Sequence, residues 1–184
     1  MGSDIHTFVE IKKNGKWQYF TGDHFSMGNF DKNYYKKEKT RYPFDWRSYR
    51  MFTFLAGVRN NGDIKPIKTP SYKLPADISD EVKNIYKEHW EGDAHGVSFL
   101  TASELSEFDY NQDIRTVDEE FSTSTRKVLN EKIVRYVNIY KADDGEKTYF
   151  DLIGGPDSMF FTHVKELSEL GDLDDVRVVF WFDS

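Results

Sequence analysis

The chain has no cysteine, which removes disulfides, thiolate metal sites and thiol nucleophiles and makes the reducing cytosol its expected compartment. No apolar run approaches the roughly 18 residues that a membrane span needs, and the N-terminus shows neither the charged nor the apolar segment of a signal peptide. Met1-Gly2 opens as a myristoylation signal does, but His6 stands where Ser or Thr is required. Positive charge is also short: 25 basic residues against 32 acidic give a net charge of −7, so general binding to duplex nucleic acid or to an anionic membrane is not expected. There is no internal repeat and no low-complexity segment. What is abundant is aromatic: Tyr 11, Phe 15 and Trp 4 make up 16% of the chain, enough to build much of a core and leave rings over for a ligand. A length of 184 residues suits one full domain, and nothing in it demands two.

The element pattern predicts a single α+β domain over residues 1–184, with a mostly antiparallel sheet packed by four to five helices. Asn14-Gly15 between Val9-Glu10-Ile11 and Trp17-Gln18-Tyr19-Phe20 signals a two-residue hairpin, with strands at about 5–12 and 16–21. Residues 21–45 hold no sustained period and read as an irregular loop or lid. Met51, Phe52, Phe54, Leu55 and Val58 follow helical spacing up to Gly57 and the turn Asn60-Asn61-Gly62-Asp63. Ser79 ahead of Asp80-Glu81 starts a second helix, whose buried stripe is Val82, Ile85, Tyr86 and His89. Thr101-Ala102-Ser103-Glu104 is a capping box opening a short helix to about Phe108.

Residues 109–123 read as an acidic surface connection, and 124–134 as a helix. Val137–Tyr140 and Thr148–Leu152 alternate about Asp144-Gly145, which predicts a second hairpin. Gly154-Gly155-Pro156 breaks the chain, and Asp157 or Ser158 caps a helix with Phe160, Val164, Leu167 and Leu170 inward; His163, beside that stripe, needs no function. The closing Val176-Arg177-Val178-Val179-Phe180-Trp181-Phe182-Asp183 is almost continuously apolar, the pattern of a central strand buried on both faces.

Two features carry chemistry. Asp4-Ile5-His6 opens the first strand with a carboxylate and an imidazole on one face, and Asp93-Ala94-His95 repeats the pattern at a second strand entrance. Three readings compete for these pairs. They gather a divalent metal on Asp4, His6, Asp93 and His95 that activates water; or they are carboxylate-oriented histidines that bind a ligand without chemistry; or each Asp satisfies backbone donors and each His is structural. The second feature is the stretch Lys32 to Arg50, with seven basic residues against two acidic ones and six interleaved aromatics, Tyr34, Tyr35, Tyr42, Phe44, Trp46 and Tyr49. Cations beside stacking rings are what a nucleotide or short single strand requires. A solvated, tyrosine-rich loop is the alternative.

Gly2-Ser3-Asp4-Ile5-His6, Arg47-Ser48-Tyr49-Arg50 through Phe54-Leu55-Ala56-Gly57-Val58-Arg59-Asn60, Leu74-Pro75-Ala76-Asp77, Gly92 through Thr101 and the closing Val176–Asp183 resemble the blocks of a family of small bacteriophage and bacterial proteins. Its members begin Met-Gly-Cys-Asp-Ile-His and end Val-Arg-x-Val-Phe-Trp-Phe-Asp. This chain departs from the pattern with Ser3 for Cys and with Gly96 where Ser is common. The resemblance carries no activity with it, but a phage origin implies a class of function: small proteins that bind or destroy the nucleotide signals of bacterial immunity.

The leading expectation is a phage-type anti-defence protein of the host cytosol that sequesters a small anionic nucleotide, a cyclic dinucleotide or cyclic ADP-ribose derivative, without a cofactor. The Asp4/His6 and Asp93/His95 strand entrances would form the floor, with Ser98 a further ligand-binding residue. Arg47, Arg50 and Arg59 would pair phosphates, Trp46 or Tyr49 would stack on a base, and Asn60 would read polar edges. One alternative is a metal-dependent phosphodiesterase acting on the same ligands. Another is an inhibitor of a host protein through the acidic face of Glu104, Glu107, Asp109, Asp118, Glu119 and Glu120. The apolar tail and many tyrosines suit a homo-oligomer.

Overall fold

Asn14 and Gly15 both adopt positive φ, 52° and 77°, the conformation that a type I′ hairpin turn demands. They join β1 (Asp4–Lys13) to β2 (Lys16–Tyr19) in antiparallel register with Lys13 opposite Lys16. The computed structural model that shows this describes residues 2–27, 38–60, 64–114, 148–155 and 158–184. Its fold is α+β, and its main sheet runs β2, β1, β6 (Val176–Asp183), β5 (His95–Thr101), antiparallel throughout. The last strand, β6, lies between β1 and β5 and is buried from Val176 to Phe182. An unbroken apolar run has no solvent face to offer, so a central position is the one that satisfies it.

The chain divides into two compact units. The first comprises Met1–Arg47, Pro70–Phe108 and Pro156–Ser184 and holds the sheet. On one face of that sheet, Phe8, Val97, Val179 and Trp181 form a core with Val82, and Ile85 and Tyr86 pack against it. These last three belong to α2 (Asp80–His89), which Ser79 caps by accepting the Val82 N–H. His89, expected at the end of this stripe, is exposed; the ring that turns inward is that of Trp90, the residue after it. The capping box opens α3 (Ala102–Glu107) as its spacing predicts. Within residues 21–45 the described part contains a ribbon of two short strands, β3 (Phe25–Ser26) and β4 (Lys39–Thr40). The helix expected after Gly154-Gly155 is α5 (Met159–Ser168); Ser158 stands at its N-cap position without a side-chain cap, and Asp157 lies outside the described residues.

The second unit comprises Ser48–Thr69 and Asp109–Gly155. Its α1 (Tyr49–Ala56) starts at Ser48 and stops at Gly57, which takes the left-handed conformation, φ 67°, that ends helices. Phe54 of α1 meets the rings of Tyr110 and Tyr149, and the Tyr149 hydroxyl donates to the Lys65 carbonyl. The strand expected at 148–152 is instead a helix, α4 (Tyr149–Ile153). Thr148 caps it and Asp151 returns the bond, so a capping box overrides the alternating pattern. The other half of that hairpin, 137–140, and the helix expected at 124–134 lie outside the described residues. Five helices are present among the described residues, and none of them is long and apolar enough to cross a membrane.

Candidate functional site

Strand alternation puts Asp4, His6, Phe8 and Glu10 on the α2 face of the sheet, with His6 directly opposite Trp181. His95 stands opposite Phe182, the next residue of β6. Opposed residues share a face and neighbours do not, so the two histidines leave the sheet on opposite sides. A register shift between His95 and Ser98 makes this possible. The His95 ring stacks on Phe182, and its Nε2 lies 2.9 Å from the Ser184 hydroxyl, which in turn meets Ser3. Ser98 is buried opposite Phe180.

What reaches His6 from the region of the second Asp-x-His segment is Trp90, three residues before Asp93, and neither Asp93 nor His95. The turn after α2 is closed by the Asp93 and Ala94 N–H groups donating to the Trp90 carbonyl. Trp90 thereby lies over His6, ring centroids 3.8 Å apart and tilted by 31°. Asp93 itself is exposed. The His6 Nε2 is shielded from solvent and without a hydrogen-bond partner among the described residues; the nearest carboxylate oxygen, of Asp183, is 3.5 Å away, beyond hydrogen-bond reach. Asp183 instead accepts the Asp4 N–H at 3.2 Å.

Asp4 is occupied by an arginine. Arg47 grips its carboxylate with a two-pronged fork, Nε to Oδ1 at 2.8 Å and Nη2 to Oδ2 at 2.7 Å. Those hydrogen bonds hold the Asp4 carboxyl below the usual carboxylate range, with burial opposing and the charges of Arg47 and His6 assisting. The guanidinium lies so close over Gly2 that a β-carbon there would fall 2.6 Å from Nη1. Half of the pair remains open to water, with side-chain exposures of 54% for Arg47 and 51% for Asp4. Asp45, close enough to feel both His6 and Asp4, is pushed upward chiefly by desolvation, with His6 opposing and Asp4 adding. The result is a small polar patch at one end of the sheet that joins three carboxylates, one imidazole, one guanidinium and an indole.

Trp46 is half-buried, its ring edge-on to His163 at 5.4 Å. The remaining residues singled out in the sequence belong to the second unit. Tyr49 and exposed Arg50 open α1. Arg59, at φ 58°, sits over the Tyr49 ring at 5.8 Å. Asn60 uses both ends of its amide on Ile64, accepting the backbone N–H at 3.0 Å and donating to the carbonyl at 2.6 Å. Lys32 to Lys37, the first half of the basic stretch, lie outside the described residues.

Four residues of the patch carry no signal in the sequence read alone: Gly2, Asp45, Trp90 and Asp183. Trp90 and Asp183 belong to it only through the turn and the strand register, which spacing does not reveal. Among the described residues, no three of His, Asp and Glu gather as metal ligands would. A separate pocket of about 290 Å³ lies at the other end of β1, between the hairpin turn, Gly15–Trp17, and the start of α2, Asp77–Asp80. None of the residues expected from the sequence to bind a ligand lines it. No family model matches the chain, and neither a curated protein nor a solved structure is significantly similar to it.

Proposed function

We propose that the protein binds a small anionic nucleotide, of the cyclic dinucleotide or cyclic ADP-ribose class, and holds it without turnover, as a phage protein would to remove an immune signal from the host cytosol. The observation that carries the reading is the Arg47 guanidinium, positioned by the Asp4 fork against Gly2 and still 54% exposed. An arginine fixed in this way meets phosphate with little further loss of freedom. The His6–Trp90 stack supplies an aromatic surface beside it. The likeness of the sequence blocks to small phage proteins supports the biological setting. Sequestration needs these contacts alone, whereas hydrolysis needs an activated water or nucleophile in addition.

The test is to incubate the protein with cyclic dinucleotides and with cyclic ADP-ribose, remove free ligand, denature the protein by heat and chromatograph what is released. Intact nucleotide recovered in proportion to protein is the expected result. A new product overturns the sequestration reading in favour of a phosphodiesterase, and no retained ligand overturns the nucleotide.

A further inference from the structure

We propose that His163 is the positioning residue of this site, latching the turn Pro43–Arg47 into the shape that presents Arg47. The proposal rests on the reading of Arg47 as the ligand's cation. It starts from a backbone outlier: Phe44 is 1% exposed yet has φ 61°, the left-handed region that a bulky side chain avoids. Such a conformation persists only where the surroundings over-determine it.

They do so here from several directions. The Phe44 N–H donates to His163 Nδ1 at 2.8 Å, and the Thr7 hydroxyl donates to the Pro43 carbonyl at 2.6 Å. The Trp46 N–H returns to the Phe44 carbonyl at 2.9 Å. The Phe44 ring stacks on Phe160 with centroids 4.9 Å apart. Arg47, three residues on, is then caught by Asp4.

His163 joins this turn to the β3–β4 ribbon by a hydrogen bond at each ring nitrogen. Its Nε2 lies 2.6 Å from the Ser26 carbonyl, which only accepts, so Nε2 carries the proton and Nδ1 presents a lone pair to Phe44. An acceptor on one side and a donor on the other, 1% exposed and mounted on α5, make a fixed strut between two backbone atoms. A residue needed only to fill space would have been apolar, like its neighbour Val164.

Two substitutions separate the halves of the strut. In His163→Asn the side-chain oxygen falls near the place of Nδ1 and keeps the acceptor for Phe44. In His163→Gln the side-chain nitrogen falls near Nε2 and keeps only the donor to Ser26. Hydrogen exchange of the Phe44 amide, read by NMR beside Val179 in the central strand, is measured in both variants and in the unsubstituted protein, with affinities for cyclic di-AMP and cyclic ADP-ribose by calorimetry. Phe44 protection is expected to survive in His163→Asn and to fall by about tenfold or more in His163→Gln while Val179 stays protected. Nucleotide affinity should follow the same order.

Equal Phe44 protection in the unsubstituted protein and folded His163→Gln overturns the latch. If Val179 protection collapses in His163→Gln, the Asn variant decides: a folded His163→Asn with unprotected Phe44 also overturns it. An unsubstituted protein that binds neither nucleotide sinks the proposed function, and the exchange comparison still settles the latch.

Discussion

Strand β1 carries an arginine–carboxylate pair at each end, and the two differ chiefly in their access to water. Near the hairpin, Glu10 is fully buried and Arg177 nearly so, with Nε 2.8 Å and Nη2 2.7 Å from the same Glu10 oxygen. The other Glu10 oxygen accepts the Ser79 N–H at 2.7 Å, and Arg177 Nη1 reaches Asp77, whose second oxygen accepts from Trp17 Nε1. Trp17 covers the guanidinium at 4.0 Å. This pair ties β1, β6, β2 and the start of α2 together, and its members have nowhere else to go. At the opposite end, Arg47 meets Asp4 with one nitrogen to each carboxylate oxygen, and that fork is half in water. The chemistry is the same and the consequence is opposite: a buried pair is locked into the fold, whereas an exposed pair contributes little to stability.

The largest effect that tests this contrast is at the buried end. Glu10→Ala leaves the Ser79 N–H without its acceptor and the buried Arg177 charge with only the exposed Asp77 carboxylate, and urea unfolding should show a loss of about 3–5 kcal/mol. Replacing both Glu10 and Arg177 by Met should recover part of that loss, because the unpaired charge goes with its partner. A Glu10→Ala protein as stable as the parent would remove the distinction between the two ends.

Glu166 provides an intermediate case. Its side chain is 9% exposed and its partner Lys39 46%, and it also accepts from the N–H and hydroxyl of Ser26. Burial pushes its carboxyl up, but the hydrogen bonds from Lys39 and Ser26 outweigh burial and hold it below its ordinary value of 4.5. His163, chiefly through burial, is held below 6.5, its ordinary value. Both groups bind protons more readily in the unfolded chain, so both withdraw stability as pH falls. The His163 contribution is present above pH 6.5 and is lost as pH drops through its lowered folded value; that of Glu166 begins to go below 4.5. Thermal unfolding should show a falling Tm in both windows. Glu166→Gln should cost about 1–3 kcal/mol at neutral pH and shrink the lower window, to which Asp4 and Asp77 also contribute. A Tm that is flat from pH 7 to 4 would contradict both assignments.

These contrasts mark how far the sequence can be read. Asn14-Gly15, the Thr101–Glu104 box and the closing apolar run each name their structure because the signal is local: a turn conformation, a reciprocal cap, a strand without a wet face. Thr148–Leu152 shows the limit, since the same five residues satisfy both an alternating pattern and a capping box, and the box prevailed. The site is less legible for a topological reason. That Asp4 meets Arg47 depends on a turn held by a strained Phe44 and by His163, which lies 119 residues away in sequence. That His6 and His95 part company depends on one register shift in β5. Neither leaves a periodic trace.

At the exposed end, Arg47→Ala should change stability by no more than about 1 kcal/mol while abolishing measurable nucleotide binding. That result alone does not separate the charge of Arg47 from its position, and Gly2 does. A β-carbon at Gly2 would fall 2.6 Å from Arg47 Nη1 and 2.9 Å from Cζ, so Gly2→Ala must displace the guanidinium. The obstacle is the far end of a flexible side chain, so the chain yields easily and stability should move by less than about 0.5 kcal/mol. Every charge in the patch survives. If the fork acts by holding Arg47 where a phosphate arrives, Gly2→Ala should still weaken nucleotide binding by about tenfold in calorimetric titration. If affinity is unchanged, any nearby positive charge suffices, and the Asp4 fork is an ordinary surface ion pair.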